Sequence, residues 1–215
     1  MATKDSRMAG GFAVCGALYI IIFMVVVNVL TSPSYPWAIY PAFAAVWWPL
    51  SVILPRRFGS EFFALAGSTL SSLFLIAVNC VSSPAYPWVL FALPIPVLWP
   101  VFQCFGGRAA KLSFALPVSL LLFLYYAALN VTIAKGFPWC MFILYAAAWW
   151  PLSIFFAHRG HGFGLSVAGA VITSVLFFAL NRITTPNQIW FIYPVFAVLW
   201  WPLSVYFFSF RRARA

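Results

Sequence analysis

The pentapeptide WWPLS stands at residues 47–51, returns at 149–153 and 200–204, and has a blurred copy, LWPVF, at 98–102. Its prolines, Pro49, Pro100, Pro151 and Pro202, are 51 residues apart each time. Asn28, Asn79, Asn130 and Asn181 keep the same interval, as do Trp37, Trp88, Trp139 and Trp190, and Trp48, Trp99, Trp150 and Trp201. No insertion or deletion disturbs the register. Columns in such register mark a fourfold tandem duplication, with repeats near 8–58, 59–109, 110–160 and 161–211. Any fold for this chain must therefore be assembled four times from one short piece.

The first copy of that piece reads GFAVCGALYIIIFMVVVNVL, then TSPSYPW, then AIYPAFAAVWWPLSVIL, then PRRFGSE. The opening run has the length and apolarity of a bilayer-crossing helix. Pro33 and Pro36 break the chain after it. From Trp37 to Arg56 a helix rises about 28 Å, enough for a second crossing. Each repeat is thus expected to be a helical hairpin. Eight spans follow, near 10–30, 38–54, 62–82, 89–105, 112–132, 140–157, 165–184 and 191–210. Composition agrees: 65% of residues are hydrophobic and only 7% charged, too few to coat a water-soluble globule. The expected fold is an all-α integral membrane protein, a single membrane domain over 1–215. The first apolar segment matches later ones in the repeat and reads as a span, not as a cleaved signal peptide.

Charge placement gives an independent orientation. Lys4, Arg7, Arg56, Arg57, Arg108, Lys111, Arg159, Arg211, Arg212 and Arg214 fall on one side of the eight-span arrangement; Lys135 and Arg182 fall toward the other. This bias places both termini in the cytoplasm of a cell-membrane protein and turns the SPSYPW-type segments outward. The same placement explains the net charge of +10 without nucleic acid, for which no groove-reading motif is present. A repeat with an even number of spans enters the membrane the same way each time, so the four hairpins run parallel, unlike inverted-repeat transporters.

The columns suggest distinct roles. Trp37, Trp88, Trp139 and Trp190 sit where helix meets headgroups and read as interface anchors. Trp48, Trp99, Trp150 and Trp201 lie near the midplane beside Pro49, Pro100, Pro151 and Pro202 and read as kinks packed with large rings. A helix-interior proline frees the carbonyl four residues back, at Ala45 in the first repeat, and Ser51, Ser153 and Ser204 are the local hydroxyls proposed to satisfy such carbonyls. Gly16, Gly67 and Gly169 form a column of close helix approach that Val118 interrupts. The four asparagines read as helix-closing or turn-bridging groups; as a binding site they would line an outward vestibule. Lys135 and Arg182 form a candidate basic spot for an anion or lipid headgroup, against simple snorkelling. The second repeat departs most, with Leu98 for the first tryptophan, Phe102 for the serine, and extra Pro94 and Pro96.

The columns N…SP-YPW…YP…WWPLS resemble the two-transmembrane (2TM) domain family, a small bacterial hairpin module. The resemblance rests on Asn28, Pro33, Pro36, Trp37 and Pro41 through Trp48 in the first repeat, and on Asn181, Pro186, Trp190, Pro194 and Trp201 in the fourth. It spans nearly the whole chain, four times over. It implies hairpins that are fused to signalling domains or free-standing, and it implies no catalytic residue. The chain departs from the family in carrying WWPLS where a glycine-bearing stretch is usual, and in lacking a soluble domain.

Chemistry is sparsely provided. The acids are Asp5 and Glu61, both at or outside span ends, and general acid–base work needs a positioned titratable group. No enzyme, cofactor or metal is expected; His158 and His161 lack a further ligand. Cys15, Cys80, Cys104 and Cys140 read as small apolar residues, with a Cys80–Cys140 disulfide the alternative. NVT at Asn130 lies too close to the membrane for glycosylation. Two functions are left: a structural or interaction module whose partners are lipid and other membrane proteins, and a passive channel or transporter-like protein with an axis lined by the asparagine and tryptophan columns.

Overall fold

A computed structural model describes residues 4–210, with side chains from Asp5 to Phe208. The side chain of Lys4 and the whole of Arg211, Arg212 and Arg214 lie outside the described residues. Among the described residues every regular element is helical: α1 Lys4–Thr31, α2 Ile39–Phe58, α3 Ser60–Ser82, α4 Val89–Ala92, α5 Pro94–Phe105, α6 Leu112–Thr132, α7 Cys140–Ala157, α8 Gly162–Thr184 and α9 Ile192–Val205. The boundaries follow the sequence. Each first helix ends where the turn prolines or Lys135–Gly136 begin, and α2 gives way to α3 within one residue. That residue is Gly59, at φ 88° and ψ 171°, a conformation closed to side-chain-bearing residues.

In the second repeat the span read at 89–105 lies within the apolar helical segment Val89–Ala110. Its hydrogen-bond ladder is interrupted between α4 and α5 at Leu93, whose backbone stays helical at φ −56° and ψ −35°. Pro94 and Pro96 supply no N–H to the preceding turn, and Pro94 sits instead at the start of a new helix, where a missing donor costs nothing. By contrast α2, α7 and α9 run unbroken through Pro49, Pro151 and Pro202.

Six helical segments are long and apolar enough to cross a membrane: Asp5–Thr31, Ser60–Ser82, Val89–Ala110, Leu112–Thr132, Cys140–Ala157 and Gly162–Thr184. Ile192–Phe208 is equally apolar in character but shorter. The remaining helix, α2, is long enough, but three prolines, two tryptophans and Arg56–Arg57 dilute its hydropathy.

Contacts group the chain into two compact units, Met1–Gly106 and Gly107–Ala215. In the N-terminal half α1 packs on α2, α2 on α3, and α3 on α5; in the C-terminal half α6 packs on α7, α7 on α8, and α8 on α9. The cores are thin and made mostly of small residues, with Ala13, Ala17, Ala38, Ala45 and Ala64 buried in the first half and Ala115, Leu129 and Ala170 in the second. Small side chains let helices approach closely where no water drives them together. Outward faces carry Leu, Ile, Val and Phe, as a lipid-facing surface requires.

Candidate functional site

Two constellations recur along the chain. The first is built on the asparagine column. Asn28 is buried near the end of α1, and its Nδ2 donates to the carbonyls of Ser32 and Tyr35, both at 2.8 Å. Its Oδ1 accepts the backbone N–H of Ala38 at 2.8 Å, at the entry to α2. Asn79 repeats the pattern with the carbonyls of Ser83 and Tyr86 and the N–H of Val89. Asn130 does so with Ala134, Phe137 and Cys140. Asn181 does so with Thr185, Gln188 and Phe191, and also accepts from Trp190. Each amide therefore binds four, seven and ten residues ahead.

The chemistry of this arrangement is self-directed. A buried amide must satisfy two donors and an acceptor, and each of these four spends both N–H groups on carbonyls of its own turn. The same Oδ1 supplies the N-terminal cap that α2 lacks in its own sequence. Neither N–H of any of the four is free to bind a ligand. Asn130 is likewise buried and fully engaged, which leaves its NVT tripeptide no accessible amide nitrogen. Around the turns, Trp139 donates its indole N–H to the Ala134 carbonyl at 3.3 Å and Trp190 to the Thr185 hydroxyl at 2.6 Å; Trp37 and Trp88 are half-buried. Lys135 lies exposed in the turn after α6, and Arg182 exposed in the last turn of α8.

The second constellation is the WWPLS motif. Its second tryptophan lies against the glycine of its own 51-residue period: a methyl group on Gly16 would fall 2.5 Å from the ring of Trp48, and one on Gly67 the same distance from Trp99. Gly169 stands equally close to Trp201. The first tryptophan reaches further along the chain. Trp47 lies 2.8 Å from the same hypothetical methyl on Gly67, and Trp149 lies 2.5 Å from that on Gly169. Gly67 and Gly169 thus each hold two rings, one from the same 51-residue period and one from the period before. The paired rings meet, Trp47 with Trp99 at 6.0 Å and Trp149 with Trp201 at 5.8 Å between centroids. Only glycine leaves room for both.

Hydroxyl placement corrects one expectation. Ser51 and Ser204 donate to the carbonyls of Trp48 and Trp201, three residues back. Ala45 is six residues behind Ser51, about 9 Å along a helix, beyond a serine's reach. In the third repeat the carbonyl freed by Pro151, that of Ala147, receives its hydrogen bond from Ser119 on α6 at 3.0 Å. A neighbouring helix supplies the donor, as lipid-embedded backbone demands.

Other sequence candidates stand apart from these sites. All four cysteines are free thiols, which removes the Cys80–Cys140 bridge; each occupies its helix as a small apolar residue. His158 Nδ1 pairs with the Ile154 carbonyl at 2.8 Å. Reasoning from sequence missed a groove of about 860 Å³ between α1 and α2, lined by Arg7, Arg56 and Arg57 with Gly10 and Gly11. The arginines were visible, but read as topology signals. A second groove of about 640 Å³, on the C-terminal half, is apolar and lined by Leu116, Leu120, Leu144, Pro151 and Phe155. No family model, curated protein or solved structure matches the chain.

Proposed function

We propose that the chain is an eight-span protein of the cell membrane, made of four parallel hairpins of the 2TM-like kind with both termini in the cytoplasm. It serves there as a structural and interaction module whose partners are lipids and other membrane proteins. The observation that carries this reading is the closed use of its polar groups. Each of the four asparagine amides donates both N–H groups within its own turn. Among the described residues no fully buried side-chain nitrogen or oxygen lacks a partner. What such a molecule presents to its surroundings is apolar and aromatic, suited to packing against acyl chains and other helices. Reading α2 and α9 as spans is supported by their equivalence to α5 and α7 in the 51-residue register and by α2's length of 20 residues, about 30 Å of rise.

Reconstitution into liposomes tests this. Flux of monovalent ions and of small uncharged solutes is expected to equal that of protein-free vesicles. Native mass spectrometry of the protein released from nanodiscs is expected to retain lipid or protein partners. Saturable flux that disappears on substituting the asparagine column would replace the module with a channel.

A further inference from the structure

The tryptophan–glycine joint has a projecting half and a receiving half, and the chain carries one open copy of each. In the closed joint of the N-terminal half, the receiving side is Phe63, Gly67 and Trp99. Phe63 meets Trp99 edge-on at 5.6 Å and 85°, and Trp47 completes the cluster 6.1 Å from Phe63. The first repeat builds the same receptor one period earlier. Phe12 meets Trp48 edge-on at 5.5 Å and 83°, with Gly16 beneath the ring. Only one ring lies on Gly16 where Gly67 holds two, and Phe12 is 70% and Trp48 37% exposed.

The projecting side is equally repetitive. Trp47 stands edge-on to Phe43 at 6.0 Å and 87°, and Trp149 to Tyr145 at 5.9 Å and 90°. Trp200 holds the same posture over Phe196, at 6.2 Å and 86°, yet it is 58% exposed. It is set in the seated orientation without a seat. Beside the seated Trp47, Phe43 stacks on Phe74 at 4.0 Å and 11°. The residues in register with that pair are Phe196 and Phe23, and both are exposed.

We propose that a second copy of this chain closes the joint. Trp200 and Phe196 of one molecule dock on the Phe12–Gly16–Trp48 receptor and Phe23 of the next. The inference rests on the interaction-module reading and names its partner. The contact continues an interface that the chain makes internally twice, and it brings one projecting and one receiving face per molecule, the stoichiometry of a head-to-tail assembly. At the remaining position in the register, Leu98 stands where the projecting tryptophan would be and Val118 where the receiving glycine would be. The open faces keep both of the residues that this position has lost.

The test uses two differently tagged full-length chains with the native cysteines replaced by serine, one carrying Phe196→Cys and the other Phe23→Cys, coexpressed and treated in membranes with a short bismaleimide. A Phe43→Cys/Phe74→Cys chain serves as the within-chain control. A cross-link between the two tags is expected, reduced roughly tenfold by Trp200→Ala, the loss typical of a central tryptophan anchor. Trp200 is exposed, so this variant keeps its fold. Three results would overturn the proposal: no cross-tag product while the control reacts, which leaves lipid on both faces; Phe196–Phe196 products, which indicate a two-fold contact; or a cross-link indifferent to Trp200→Ala. Solute flux measured on the same material addresses the module reading separately, so failure of one is distinguishable from failure of the other.

Discussion

The asparagine turns and the tryptophan joints are both written into the 51-residue repeat, but they differ in how far they reach. An asparagine finds all its partners within ten residues of itself, on backbone groups that any side chains would supply. The turn therefore forms four times, unaffected by a Lys135 or a Gln188 in its path. A projecting tryptophan needs a glycine 20 residues ahead, in the next repeat, and a ring beyond that. It forms within each half and has lost its residues at Leu98 and Val118, next to the place where the chain divides into halves. Short-range devices survive duplication and drift. Longer-range ones survive only where both partners are kept.

Filling a joint is the most disruptive way to test this comparison. Gly169→Leu drives a branched side chain into two indoles, and a loss of about 3 kcal/mol or complete failure to fold is expected, read by thermal unfolding in detergent with near-UV circular dichroism. Breaking a turn comes next. Asn79→Leu leaves the N–H of Val89 without its acceptor and takes one of two hydrogen bonds from each of the Ser83 and Tyr86 carbonyls, which still accept from the N–H groups of Tyr86 and Trp88, for a loss of about 2 kcal/mol after water reaches part of the turn; limited proteolysis is expected to cut at 83–88 and to spare the other three turns.

A sharper test converts one joint into the likeness of the lost one. Gly67→Val and Trp47→Leu each destabilise the N-terminal half. Combined, they are expected to cost less than their sum by about 1 kcal/mol, since the smaller knob relieves the filled hole. Additive losses would mean the two residues do not act as one joint. Ser119→Ala is expected to have a small effect, about 1 kcal/mol from the unpaired Ala147 carbonyl. Ser51→Ala, which removes only an exposed local bond, is expected to leave the melting curve unchanged within about 0.5 kcal/mol.

Much of this architecture is legible without coordinates. Helix positions follow from apolar runs and turn prolines, and the spans read at 112–132 and 140–157 coincide with α6 and α7. The span read at 89–105 lies within the helical segment Val89–Ala110. Pro94 and Pro96 lack N–H donors and interrupt the hydrogen bonding at Leu93, whose backbone nevertheless keeps φ −56° and ψ −35°. The asparagine column was legible as turn-bridging because its partners are near in sequence. Its partners four, seven and ten residues ahead are backbone groups that no residue type marks, so that spacing came only from the structure.

By itself the sequence determined the period, the helices, the apolar character and the closed turns, because each depends on composition or on contacts within one short stretch. Which glycine receives which tryptophan, and which helix lends Ser119 to the Ala147 carbonyl 28 residues away, was decided only in three dimensions. Those contacts depend on the rotation of each helix about its axis, and that rotation is set by how neighbouring helices fit together.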